Sequence, residues 1–144
     1  TPEFLYKAVI KDSVDYSDIN DTLKGKEMEL PDVATFFDTD GFERENIRVR
    51  WWNNPEDLTW EAYSVMPLQN LPQSKVGKGK YFYPAGDKPV FFGHYWLRES
   101  PRLMTPNACC LDYSVAKGYK LVAYRWNGEA VLDDGNLVWV DVGG

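Results

Sequence analysis

Histidine occurs once in these 144 residues, as His94, and cysteine twice, as the neighbours Cys109 and Cys110. A lone imidazole excludes a metal centre built from several histidines of this chain, since closed metal sites draw on three or four protein ligands. Adjacent residues of a strand point to opposite faces, so a bridge between the two cysteines would be strained. Two free thiols are expected, and with them a reducing, cytoplasmic setting. Also absent are a run of about 18 apolar residues and a charged leader ahead of an apolar stretch, so neither a membrane span nor a signal peptide is expected. Cations are in deficit, with 16 Lys and Arg against 22 Asp and Glu for a net charge of −6. That balance argues against a nucleic-acid module, which must neutralise many phosphates, but leaves local phosphate binding open.

Apolar and aromatic residues are plentiful, at 44% and 15% of the chain, which suits a globular domain with a sizeable core. The length fits one domain, residues 1–144. Phe4, Leu5, Ala8 and Val9 recur on one helix face, and Ile19 and Leu23 resume that pattern after a polar break at residues 12–17. Two short helices are expected, the second capped by Asp15 or Ser17 and stopped by Gly25 in a left-handed conformation. Leu30-Pro31 ends the helical tendency. Thr35-Phe36-Phe37, a turn at Asp38-Thr39-Asp40-Gly41 and the alternating residues 46–52 read as a hairpin-like unit. Residues 53–84, with Pro55, Pro67, Pro72 and Pro84, read as a long loop or cap. Strands are expected over residues 90–92, 108–112, 120–126 and 137–140, the first of them buried, with turns at Asn127-Gly128 and at residues 133–136. The expected fold class is α+β, with short N-terminal helices followed by a mostly antiparallel sheet.

Several motifs carry possible chemistry. Asp38-Thr39-Asp40-Gly41 has the acidic look of a calcium loop, yet the flanking positions that would complete an EF-hand hold Phe36 and Ile47, so a hairpin turn is the better reading. The run from Lys75 to Lys80, interleaved with Gly77 and Gly79, could gather a phosphate but lacks the preceding strand and the Gly-Lys-Ser/Thr ending of a P-loop; a solvated loop is expected. Arg48 and Arg50 flank Val49 and project from one face of a strand. Paired guanidinium groups suit a phosphate or a carboxylate, and ordinary ion pairs would give the same pattern. His94 follows Phe91-Phe92-Gly93, so a strand end holds the one imidazole at a sheet rim. Imidazole is the commonest metal ligand and the natural acid or base near neutral pH, and open α/β sheets bind ligands beyond the carboxyl ends of their strands.

A longer pattern surrounds that histidine. Val90-Phe91-Phe92-Gly93-His94-Tyr95-Trp96, then Asn107-Ala108-Cys109-Cys110-Leu111-Asp112-Tyr113-Ser114-Val115-Ala116-Lys117-Gly118, then Lys120-Leu121-Val122-Ala123-Tyr124-Arg125-Trp126, resembles the C-terminal end of bacterial calcineurin-like metallophosphoesterases. The closest likeness is to the Ser/Thr protein phosphatase and diadenosine tetraphosphatase branch. That branch carries a Phe-Gly-His step, a strand ending in Leu-Asp, a Gly-containing turn and a strand reading Lys-Leu-x-x-x-Arg. The residues from Asp21 to Pro31, Asp40-Gly41 and the stretch from Arg48 to Trp52 resemble the middle region of the family, less specifically. Two places depart from the pattern. Leu111-Asp112-Tyr113-Ser114 stands for Leu-Asp-Thr-Gly, and Gly118-Tyr119 for paired glycines.

The resemblance implies a phosphoester hydrolase in which a pair of divalent metals, manganese, iron or similar, binds phosphate oxygens and generates the attacking hydroxide. It assigns to His94 the completion of the second metal's shell, with Arg48 and Arg50 expected as contacts to the substrate phosphate. The family's Asp-x-His, Gly-Asp-x-x-Asp-Arg-Gly and Gly-Asn-His-Glu motifs do not occur here. The chain is therefore expected to be the C-terminal half of such an enzyme, half of its β-sandwich, inactive alone, without a tightly bound metal and prone to self-association through exposed apolar surface. Its start at Thr1-Pro2-Glu3, without a methionine, fits that expectation. The alternative is a non-catalytic binding or scaffold module of the same fold, with some of its six tryptophans and nine tyrosines lining a ligand surface.

Overall fold

The computed structural model describes residues 1–10, 13–31, 35–37, 41–68, 71–79 and 81–142. Helix α1 (Pro2–Lys7) starts at Thr1, whose hydroxyl accepts the Phe4 amide, with Pro2 in the first turn where no amide is needed. Helix α2 (Val14–Lys24) starts at Ser13, whose Oγ accepts the Tyr16 amide at 3.0 Å. The cap precedes the expected Asp15 and Ser17 because Ser13 is still extended while both of those have joined the helix. Gly25 ends α2 as expected, but at φ 94° and ψ 167°, outside the left-handed helical well. There the chain turns toward β1 (Glu27–Glu29), and the Tyr95 phenol occupies the place a Cβ on Gly25 would need. Neither helix buries a residue; Leu5, Val9 and Leu23 are all exposed, so the apolar faces expected to pack inward stay uncovered.

Strand β2 (Phe36–Phe37) pairs antiparallel with β3 (Glu43–Arg44), while β4 (Asn46–Arg48) pairs antiparallel with β1. The expected hairpin thus closes on residues 43–44, and residues 46–48 turn instead to a strand that its Glu-Met-Glu composition conceals. The turn residues 38–40 lie outside the described residues. Alternation along β4 and beyond buries Ile47 and Val49 and leaves Arg48 and Arg50 half-buried on the other side. Ile47 and Val49 join Leu30, Trp60, Tyr63 and Leu71 in a first core. Residues 53–84 are largely irregular, yet they supply three of those side chains and a single helical turn, α3 (Trp60–Tyr63), capped by the Thr59 hydroxyl.

Strand β5 (Val90–Phe92) is half-buried and pairs with β6 (Ala108–Cys110) in parallel, against the antiparallel expectation, the connecting residues 93–107 carrying the chain back to the same end. Strands β7 (Asp112–Tyr113), β8 (Lys120–Tyr124) and β9 (Leu137–Asp141) form an antiparallel sheet. The α+β class holds, with the strands of the described residues divided among four small sheets, three of them antiparallel. Strand β6 is buried on both faces, as parallel pairs usually are. Cys109 packs with Tyr113, Val122, Leu132 and Leu137, and Ala108 and Cys110 pack with Trp52 and Tyr95. The rings of Trp51, Trp52, Phe92 and Tyr95 meet at centroid distances of 4.9 to 5.5 Å, tilted or edge-on, and tie the first core to the β5–β6 pair. Each such contact adds about 0.5–1.5 kcal/mol beyond simple burial. Across β8 and β9, Val122 and Leu137 face inward, while Leu121, Ala123, Val138 and Val140 form an exposed apolar face on the other side. Among the described residues no helix is long and apolar enough to cross a membrane.

Two predictions follow from this packing. Gly25→Ala, with both φ and the Tyr95 contact against it, should lower stability by about 2 kcal/mol in thermal unfolding, clearly more than Gly41→Ala, where the added methyl meets nothing. Equal losses at the two sites would contradict the Tyr95 packing. Cys109 and Cys110 are free, and burial pushes both thiols from 9.0 up to about 12. A raised thiol pKa favours the fold while the thiol is neutral, so that stability is complete below pH 9 and is lost as pH rises toward 12. Around pH 9, where the thiols of the unfolded chain are about half ionised and its tyrosines only about a tenth, the double substitution of both cysteines by alanine should flatten the decline seen in the native chain by chemical denaturation.

Candidate functional site

Among the described residues, three that are not glycine hold a left-handed backbone: His94 at φ 69°, Trp96 at φ 50° and Ser114 at φ 56°. All three lie just past strands, His94 and Trp96 beyond β5 and Ser114 beyond the consecutive strands β6 and β7. Such conformations cost about 1–3 kcal/mol each and persist only where the surroundings impose them.

The surroundings here are two charged side chains. Arg48 Nη1 donates to the His94 carbonyl at 2.7 Å. Asp112 Oδ2 accepts the Trp96 amide at 3.2 Å, and Asp112 Oδ1 accepts the Ser114 amide at 3.1 Å. Hydrogen bonds to charged groups contribute about 1.5–3 kcal/mol, comparable to the strain, so each left-handed residue has one restraint of matching size. The Leu97 amide also donates to the Asp112 carbonyl at 3.0 Å. Between these anchors Tyr95 is buried, its Oη accepting Trp51 Nε1–H at 2.9 Å, and burial pushes its phenol up to about 12. Residues 94–97 are thereby fixed from β4, from Trp51 and from β7.

The rigid backbone presents a group of side chains. The half-buried His94 imidazole makes no hydrogen bond to a described residue, and its ring lies 5.7 Å from that of Trp96. Trp96 is 55% exposed, with Lys117 Nζ 4.4 Å from its ring centroid. The Arg98 guanidinium lies 5.0 Å from the Tyr119 ring centroid. Ser114 Oγ is buried with no hydrogen-bond partner among the described residues.

The expected phosphate contacts sit differently. Arg48 and Arg50 share a face, but Arg48 binds the His94 carbonyl and, through Nη2, the Glu27 carboxylate at 3.2 Å, with its guanidinium against the Tyr95 ring. Arg50 Nε donates to the Ser64 carbonyl at 2.9 Å and pins the chain to the end of α3. The structure thus brings Arg48 to His94 through backbone and leaves Arg50 on the α3 side. In the Lys/Gly-rich segment, Lys75 pairs with Asp57 at 2.7 Å, and Lys80 lies outside the described residues. Sequence reasoning gave no role to Asp112, Trp96, Ser114, Arg98 or Lys117, although it marked Ser114 as standing where the resemblance has glycine. The left-handed positions carry no glycine, so composition offered no sign of them.

The pair of metals that the resemblance implies needs more ligands than this. Among the described residues no three His, Cys, Asp or Glu side chains gather at metal-binding spacing. The carboxylate tied to the loop, Asp112, has both oxygens engaged by backbone amides. These residues do not themselves compose a two-metal centre. In comparisons with known proteins, no family model, no curated protein and no solved structure matches the chain.

If the backbone at 94 is strained, His94→Gly should be more stable than His94→Ala by about 1 kcal/mol, the reverse of the order at an ordinary position. Equal stability of the two variants in thermal unfolding would contradict the left-handed assignment.

Proposed function

We propose that these residues form the C-terminal part of a cytoplasmic two-metal phosphoesterase, acting on a phosphoester substrate, with His94 as one ligand and the remaining ligands outside this chain. The observation that carries the reading is the state of His94. It is an imidazole with no hydrogen-bond partner among the described residues, on a backbone strained and fixed from three directions, just past strand β5 and within the Phe-Gly-His step that resembles the family's ligand. Sites that hold ligands need this kind of fixed support. The uncovered face formed by Leu121, Ala123, Val138 and Val140 also fits one layer of a sandwich, whose inner faces pack against a second sheet. On this reading the chain alone is inactive, and a second copy covers that face in solution.

The binding-module alternative has its own support, since the exposed Trp96 with Lys117 beside it, and Arg98 against Tyr119, would serve a ligand surface without any chemistry.

Hydrolysis of p-nitrophenyl phosphate with manganese separates the two readings, measured on a polypeptide that carries the three metal-binding motifs ahead of these residues. His94→Ala should lower the rate about 100-fold, in line with loss of a ligand; an unchanged rate would remove His94 from the metal site. In sedimentation velocity the isolated chain should associate with rising concentration, and Leu121→Lys with Val140→Lys should keep it monomeric. A native chain that stays monomeric throughout would count against the open sandwich face.

A further inference from the structure

The turn that follows β7 and the loop that follows β5 are cross-linked twice, in opposite senses. Trp96 on the loop receives Lys117 from the turn, and Tyr119 from the turn receives Arg98 on the loop. Neither cation has a carboxylate partner among the described residues, in a chain whose net charge is −6. This matters because an acid partner neutralises a cation, whereas an aromatic face holds one in place with its charge intact. Of the acids nearest in sequence, Glu99 pairs with Arg102 at 3.4 Å and Asp112 has its two oxygens on the amides of Trp96 and Ser114. The His94 loop and its neighbouring turn therefore carry two positioned cations, each on an aromatic ring and without a carboxylate partner among the described residues. The indole of Trp96, next to Lys117 and with its ring 5.7 Å from that of His94, is 55% exposed and offers a flat apolar surface.

We propose that Lys117 and Arg98 bind the phosphate group of a phosphate monoester and that Trp96 receives an aromatic group carried by the same molecule. Charge-assisted contacts from an ammonium and a guanidinium suit a phosphate dianion, and stacking on an indole selects a planar substituent. The assignment names the substrate class for the phosphoesterase reading and rests on that reading for the view that the ligand is a substrate. It transfers the phosphate contact from Arg48 and Arg50, whose guanidinium groups serve backbone carbonyls, to two residues on the His94 loop and its neighbouring turn.

The test uses the 144-residue chain in the presence of a chelator, so that no hydrolysis intervenes. The Trp96 indole N–H resonance, assigned with Trp96→Phe, is followed while phenyl phosphate or methyl phosphate is added. Phenyl phosphate should shift it saturably and bind about tenfold more tightly than methyl phosphate. Lys117→Gln and Arg98→Gln should each weaken phenyl phosphate binding about tenfold, while Lys117→Arg retains it, at unfolding temperatures that confirm a folded chain. A linear, unsaturated response would overturn the proposal. So would equal affinity for the two esters, or glutamine variants that bind as the native chain does. Because the readout needs no metal, binding here together with absence of hydrolysis in the longer polypeptide would sink the phosphoesterase reading and leave this inference standing. Hydrolysis there without binding here would do the reverse.

Discussion

Arg48 and Asp112 together impose a backbone that their neighbours would not adopt unaided. The guanidinium reaches 46 residues along the chain to the His94 carbonyl, and the carboxylate divides its two oxygens between the amides of Trp96 and Ser114. Glycine would take those left-handed conformations at little cost. Histidine, tryptophan and serine do not, and their side chains are the ones exposed or left without partners on this surface. Strain concentrated in three residues of one site, each matched by one charged hydrogen bond, is the pattern of a site in which position matters more than local stability.

Those two anchors depend in turn on packing. Arg48 can reach the loop only because Ile47 and Val49 lock β4 into the first core, and because Trp51 and Trp52 carry that core against Phe92 and Tyr95. The short strand β6, buried on both faces, is shared between the second core and the aromatic junction. Its small residues, Ala108, Cys109 and Cys110, allow neighbours to close in on each side. Burial holds both thiols neutral there, so the cysteine pair belongs to the core and not to the chemistry of the surface.

Much of the local structure was legible in the sequence. Helical periodicity located α1 and α2, and β-rich runs located β5, β6, β8 and β9 within a residue or two. What escaped were pairings and positions that depend on distant residues. Strand β1 is formed by Glu27-Met28-Glu29, whose composition says nothing of a strand; its antiparallel register with residues 46–48 makes it one. The parallel pairing of β5 with β6 could not be read from two apolar runs, which would suit either direction. At the site, His94 stood out because it is unique and ends a strand. Arg48 was noticed for its charge but given a ligand to hold, where the structure has it hold the loop. Asp112 and Ser114 entered only as a departure from the Leu-Asp-Thr-Gly of the resemblance, with Ser114 at its glycine, and Trp96 gave no sign of a left-handed backbone. Lys117 and Arg98 looked like ordinary surface cations until the fold set each beside an aromatic ring.

The proposed role of His94, a metal ligand presented by a fixed loop, predicts a metal–nitrogen bond that can be sought directly. In a manganese-loaded polypeptide that carries the three upstream motifs, made with ¹⁵N-labelled histidine, electron–nuclear double resonance reads the nitrogen nuclei coupled to the metal. On the reading proposed here, His94→Gln abolishes one of those couplings while the others keep their values. An identical set of couplings before and after the substitution would contradict it.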